Sequence, residues 1–155
     1  MPKISLTSTA YLDGQPIPPR FTGEGADVSP ALNWGAVPAG TKELALIMDD
    51  PDAPTSEPWV HWVMYRIAPE TRGLPEGAGS AAPALGVEGM NSFGKTQYNG
   101  PMPPKGQGVH HYHLRVYALD QVVALGPGAT KEALLAAIKG HVLGIGELVG
   151  TYERK

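Results

Sequence analysis

Four polar side chains stand where strand-like stretches of this chain otherwise place apolar ones, and together they could form a polar binding spot beside an apolar core. In Leu44-Ala45-Leu46-Ile47-Met48-Asp49-Asp50, the even positions Leu44, Leu46, Met48 and Asp50 share one face. In Trp59-Val60-His61-Trp62-Val63-Met64-Tyr65-Arg66-Ile67, the odd positions align His61 with Trp59, Val63, Tyr65 and Ile67. In the stretch from His110 to Ala118, the even positions align His110 and Tyr112 with Leu114, Val116 and Ala118. Strand side chains alternate with a period of two, so each polar group points to the side of its apolar neighbours. A buried carboxylate is costly unless it is paired or hydrogen-bonded. Asp50, His61, His110 and Tyr112 are therefore expected close together, at the ends of neighbouring strands, beside an apolar core. A carboxylate in such a spot can orient a histidine ring or hydrogen-bond a ligand.

The segments around these residues have to position them. Asp50-Pro51-Asp52-Ala53-Pro54 ends the first strand abruptly. Pro51 fixes its own φ and biases Asp50 towards an extended shape. Either one of Asp50 and Asp52 orients a histidine or a ligand, or the stretch is a surface turn of common turn residues. Trp59 beside His61 suits an aromatic pocket wall, although a histidine in a core strand can also be purely structural. The run from Gly100 through Met102 and Pro103 to Gly108 feeds directly into His110, and a Pro/Gly-rich loop lets backbone amides approach a ligand. His111 and His113 fall on the face opposite His110, are expected to be solvated or at an edge, and are given no role.

Elsewhere the first forty residues read as short strands and turns, with 18–21 and 28–32 as extended pieces. Residues 69–105 carry little regular pattern. One helix is expected after Thr130 as N-cap, with Glu132 in its first turn, an apolar stripe of Leu134, Leu135 and Ile138, and Gly140 beyond its end. A last strand is expected over 146–152.

The 155 residues suit a single domain, 1–155, able to bury a full core. Gly 20 and Pro 16, without low-complexity tracts, indicate many turns between short strands. A net charge of −3 with no basic stripe argues against nucleic acid. Zero cysteines exclude disulfides, thiol chemistry and thiolate metal sites. The first residues lack the apolar region of a signal peptide, and no apolar run is long enough to span a bilayer. The expectation is a cytoplasmic protein without a cofactor.

Taken together and in order, these pieces resemble the phosphatidylethanolamine-binding protein family, which includes the Raf kinase inhibitor proteins, and its bacterial and archaeal branch above all. Asp50-Pro51-Asp52-Ala53-Pro54 matches the first family motif, Trp59-Val60-His61 its Trp-x-His segment, and 103–112, Pro-Pro-Lys-Gly-x-Gly-x-His-x-Tyr, its second. Val28-Ser29-Pro30-Ala31-Leu32-Asn33-Trp34, Pro38-Ala39-Gly40-Thr41, Asn91-Ser92-Phe93-Gly94-Lys95, Gly140-His141-Val142-Leu143 and Glu147–Tyr152 also resemble that branch. The resemblance implies a mainly β protein: a sandwich of antiparallel sheets with Greek-key connections and one or two short helices near the C-terminus. It implies a small pocket for a phosphate-like anion or phosphoester headgroup, with Asp50, Asp52, Trp59, His61, Gly100, Met102, Pro103, His110 and Tyr112 as ligand-binding residues. It further implies a regulator of a protein kinase or another phosphoprotein. Two departures bear on headgroup specificity: His111 stands where the family commonly has Arg, and Met102 where the animal branch has Gly. The animal branch's C-terminal helical extension has no counterpart, so a more open pocket, or one closed by a neighbouring subunit, is expected. An apolar rim carrying Trp59, Trp62 or Met102 would suit a homodimer. The competing expectation is a small hydrolase or a metal-dependent enzyme using Asp50, His61 and His110, although no nucleophile-elbow serine adjoins them.

Overall fold

The computed structural model describes residues 1–80 and 85–155. Among these residues the strands are β1 (Leu6–Thr7), β2 (Leu32–Trp34), β3 (Glu43–Asp50), β4 (Trp59–Ile67), β5 (Gly73–Leu74), β6 (Val87–Glu88), β7 (His110–Leu119) and β8 (Val142–Tyr152), with one α-helix, α1 (Lys131–Ile138). They form two antiparallel sheets, one ordered β1-β2-β5 and one ordered β6-β4-β3-β7-β8. In the larger sheet β3, β4 and β6 run side by side, and β7 returns to lie against β3, which is the Greek-key arrangement. The expected mainly β sandwich with a helix near the C-terminus is what forms.

Two apolar layers flank the larger sheet. Between the sheets, Leu44, Leu46 and Met48 of β3 pack with Leu114 and Val116 of β7 and with Leu32, Trp34 and Leu74 of the smaller sheet. On the outer face, Ala45 and Ile47 pack with Val63, Tyr65, Leu119, and Leu134 and Ile138 of α1. β3 is therefore buried at every position.

That double burial exposes an error in the parity expected for β4. Trp62, Met64 and Ile67 face the inner core, whereas Val60, Val63 and Tyr65 face the outer one. Two irregularities in pairing with β3 explain the switches. Met48 pairs with Trp62 but Asp49 with Val60, so His61 is an extra residue. Leu46 pairs with Met64 but Leu44 with Ile67, and there Arg66 takes a φ of 56°. An extra residue in one strand reverses which side the following side chains face. His61 joins Asp50 through a bulge, not through shared alternation with Val63 and Tyr65. Trp62, expected on an exposed rim, is fully buried.

Other expectations shift locally. Pro19–Phe21 is a 3-10 turn, not an extended piece: Pro19 sits at its start, and the Thr22 N–H donates to the Pro19 carbonyl at 3.0 Å. The piece at 28–32 becomes strand only from Leu32. β8 begins at Val142, before 146. Its glycines serve close approach: a Cβ on Gly146 would lie 2.6 Å from the Ile4 carbonyl oxygen, and one on Gly150 2.5 Å from Ile17 Cγ1. Segments near the N-terminus thus lie across β8 and cover it, with isolated bridges Lys3–Ile145 and Pro16–Thr151. α1 has the expected cap, Thr130 accepting from the Ala133 N–H, and Gly140 follows it at φ 81°. Its buried stripe is Leu134 and Ile138, while Leu135 is 37% exposed.

Glu88 on β6 is buried with no cationic partner among the described residues. Both its carboxyl oxygens accept from Trp62 Nε1–H, at 2.9 and 3.2 Å. Burial pushes its pKa up to about 8, with the Trp62 bond opposing. The folded carboxyl keeps its proton up to about 8, while the unfolded one loses it near 4.5, so folding takes up a proton in that window. Stability from this group therefore falls as pH rises through the window, by up to about 1.4 kcal/mol per pH unit. Denaturant unfolding of Glu88→Gln between pH 5 and 9 should show that slope removed, with stability near wild type at pH 5 and above it at pH 9. An unchanged slope would mean that Glu88 is ionised in the fold.

Candidate functional site

Asp50 closes β3 opposite Trp59, and Pro51 ends the strand behind it. Its carboxylate turns back on the chain: Oδ1 accepts the Asp52 N–H at 2.8 Å, the Asx turn favoured by an Asp-Pro start. Oδ2 accepts Nδ1–H of His110 at 2.6 Å, with both side chains buried. This bond fixes the His110 ring and directs its other nitrogen away from Asp50. Nε2 lies 3.2 Å from Gln107 Oε1.

His61, the bulge residue, donates Nδ1–H to the Asn99 carbonyl at 2.7 Å, and the Asn99 N–H returns to the His61 carbonyl at 3.1 Å. The Asn99 bond leaves Nε2 as the free ring nitrogen. Burial pulls the His61 pKa below its usual value of 6.5, against the pull of the Asn99 carbonyl and the Asp50 charge. The ring is thus neutral at pH 7. Tyr112 stacks near His110, with ring centroids 6.5 Å apart, and meets His61 edge-on at 5.1 Å. Burial first, then the Asp50 charge, raises the Tyr112 pKa, so its hydroxyl keeps its proton.

These residues border a cavity of about 240 Å³. Of the residues expected to bind a ligand, Asp50, Trp59, His61, Met102, Pro103, His110 and Tyr112 line it. Asp52 and Gly100 are not in its lining. Asp52 instead accepts two bonds at 2.8 Å from His111, from its backbone N–H and from Nδ1–H, and so fastens the 51–55 turn to β7. His111 is exposed, as its parity implied, and has this structural part. Gly100 serves backbone approach: its N–H donates to Asp27 Oδ1 at 2.7 Å, and a Cβ there would lie 2.1 Å from the Phe21 carbonyl oxygen.

The wall also contains residues that strand parity could not reach: Ala53, Pro54, Thr55, Phe93 and Pro104. Phe93 meets Trp59 and His61 edge-on, each at 5.5 Å. It is presented by buried Asn91, whose Oδ1 accepts the Phe93 and Lys95 N–H groups and whose Nδ2 donates to the Gln97 carbonyl and Asn99 Oδ1. The only sequence signal for Asn91 and Phe93 was the family-like Asn-Ser-Phe-Gly-Lys stretch. Asp50, His61 and His110 share the cavity, but among the described residues no three His, Asp or Glu side chains converge as a metal-binding group. No helix among them is long and apolar enough to cross a membrane.

Comparison with known proteins matches nearly the whole chain. A UPF0098 protein of Methanothermobacter thermautotrophicus is 48% identical over 97% of this chain and 99% of its own length. The crystal structure of the homolog CT736 of Chlamydia trachomatis superposes with a TM-score of 0.89 at 39% identity, covering 100% of both chains. That of Escherichia coli YbcL, described as a member of the mammalian family, gives 0.92 at 31% identity over 99% of each chain. The family model described as phosphatidylethanolamine-binding protein matches residues 7–153, from the second residue of β1 to just past the end of β8, and the chain belongs to that family.

Proposed function

We propose that the cavity binds a small anion, either phosphate or a phosphoester headgroup, and that the protein acts by binding rather than by catalysis. The observation that carries this reading is the buried Asp50–His110 pair at 2.6 Å at the wall of an otherwise aromatic cavity. Asp50 secures one proton on His110 Nδ1, so a second proton on Nε2 makes the ring a charge-assisted donor to an anion. His61 offers a second Nε2 on the same wall, and Tyr112 a neutral hydroxyl. Small-molecule pockets typically span about 300–1,000 Å³, so a cavity of about 240 Å³ favours a compact ligand. Family membership supports the phosphoester class. A phosphorylated side chain carries the same chemistry, so we extend the proposal to regulation of a kinase or phosphoprotein.

The same pair supports a second reading, a hydrolase in which Asp50 orients His110 as a general base towards water. Turnover of p-nitrophenyl phosphate that is lost in Asp50→Asn would favour it, as would stoichiometric zinc or iron in protein purified without an affinity tag.

Anion binding should be linked to pH. The lowered His61 pKa means the folded, empty site holds that ring neutral near pH 7, and an anion favours its protonated form. Binding therefore takes up a proton and strengthens as pH falls towards the lowered His61 pKa, below its usual 6.5. In a thermal-shift series with millimolar phosphate or O-phosphoethanolamine, the midpoint should rise at pH 6 and respond less at pH 8. A ligand at a hundredfold its Kd adds about 2.7 kcal/mol. A flat response at pH 6 would count against the anion site.

His110→Ala should abolish that response. Asp50→Asn keeps the side-chain volume but removes the charge that fixes Nδ1–H. Isothermal titration at pH 6 should show affinity for phosphate at least about tenfold weaker, a loss of about 1.4 kcal/mol. Wild-type affinity in both variants would place the anion elsewhere.

A further inference from the structure

One wall of the cavity has no regular structure. Residues 99–109, between Tyr98 and the start of β7, carry Met102, Pro103 and Pro104 into the lining. A segment without ladder bonds keeps its position only through the contacts that tie it down. Gly100 N–H donates to Asp27 Oδ1 at 2.7 Å, and Gly23 N–H to the Pro101 carbonyl at 2.9 Å. Arg154 supplies two further ties. Its Nη1–H donates to the Pro103 carbonyl at 3.2 Å, and its own carbonyl accepts the Gly106 N–H at 3.0 Å.

Arg154 is itself held. Its Nε pairs by charge with Glu24 Oε2 at 3.3 Å, without hydrogen-bond geometry, and Glu24 Oε1 accepts the Tyr152 hydroxyl at 2.5 Å. The Tyr152 hydrogen bond, with help from Arg154, holds the Glu24 carboxyl below its usual range, so the ion pair persists at neutral pH. Tyr152 is the cross-strand partner of His110. A continuous set of contacts thus joins the strand that carries His110 to the opposite cavity wall at Pro103. Gly23, next to Glu24, lies against Met102: a Cβ there would be 2.9 Å from the Met102 sulfur and 3.1 Å from its Cβ. The 23–24 segment therefore also limits how far Met102 can swing away from the cavity.

We propose that Arg154, held by Glu24, is a positioning residue that fixes the Pro101–Gly106 wall and makes the cavity select compact phosphate monoesters over bulkier diesters. The inference rests on the anion-binding reading above. Neither residue lines the cavity or belongs to the apolar core, and their side chains are 20% and 37% exposed.

The experiment compares O-phosphoethanolamine with glycerophosphoethanolamine by isothermal titration at pH 6, on wild type, Arg154→Ala and Glu24→Gln. Wild type should favour the monoester. Both variants should lower that preference at least threefold, and amide exchange at Gly106 should quicken. Met102→Ala, which shortens the wall without touching Arg154, should lower the preference likewise. Wild-type selectivity retained in folded Arg154→Ala and Glu24→Gln, with monoester binding intact, overturns the positioning role and leaves the anion site standing. Failure of wild type to bind either ester overturns the anion site and this inference together.

Discussion

β3 is sealed along its whole length, with one apolar layer on each face, and the rest of the molecule is arranged around that constraint. A strand buried on both sides has no exposed face for polar groups, so they collect at its ends, where each needs a partner. Three acids stand there. Glu43 accepts the Val123 N–H at 3.1 Å and ties down the loop before α1. Asp49 points to the outer face, where Lys131 reaches it at 2.5 Å and Arg115 lies at 3.6 Å, anchoring the first turn of α1 to the sheet. Asp50 points inward and is met by His110 and the Asp52 N–H. Two adjacent carboxylates on opposite faces thus divide the work: one docks the helix, the other organises the cavity.

The cavity exists because the regular sheet fails at its upper end. The bulge at His61 adds a residue opposite β3 between Met48 and Asp49 and turns an imidazole inward beside Trp59. Bulges re-aim side chains, and they recur beside binding sites. The second bulge, at Arg66, restores the inner-face position of Ile67. Between the two, Trp62 and Met64 fill the inner core while Val63 and Tyr65 meet α1's side of the sheet.

Everything else that borders the cavity is loop, and those loops are positioned by side-chain amides and carboxylates. Asn91 gathers four hydrogen bonds at the base of the segment that presents Phe93. Asp52 fastens the 51–55 turn to His111. Asp27 receives Gly100 where its backbone passes within contact of Phe21. Such a site combines a rigid floor of strand ends with walls whose geometry depends on a few exchangeable surface contacts. That is the usual way a fold keeps its core while varying its ligand.

The sequence by itself determined the features that depend on local chemistry. The alternation of β7 is unbroken from Tyr112 to Ala118, so His110 and Tyr112 were correctly read as inward and His111 as outward. Asp-Pro chemistry identified the turn after β3, and the Thr130 cap with Gly140 bounded α1. The ordered motifs identified the family, and with it the sandwich. Tertiary structure decided whatever depends on a partner strand or a distant segment. Period-two reasoning assumes one residue per pairing step, and β4 breaks that rule twice against β3, so His61 reaches the cavity through a bulge and Trp62, expected on the rim, is buried. The strand expected over 146–152 starts earlier, at Val142, and only the fold shows Ile4 and Ile17 lying across its glycines. Phe93, Asn91 and Arg154 had no periodic signal, because their places are fixed by hydrogen bonds whose partners in the fold no local pattern identifies.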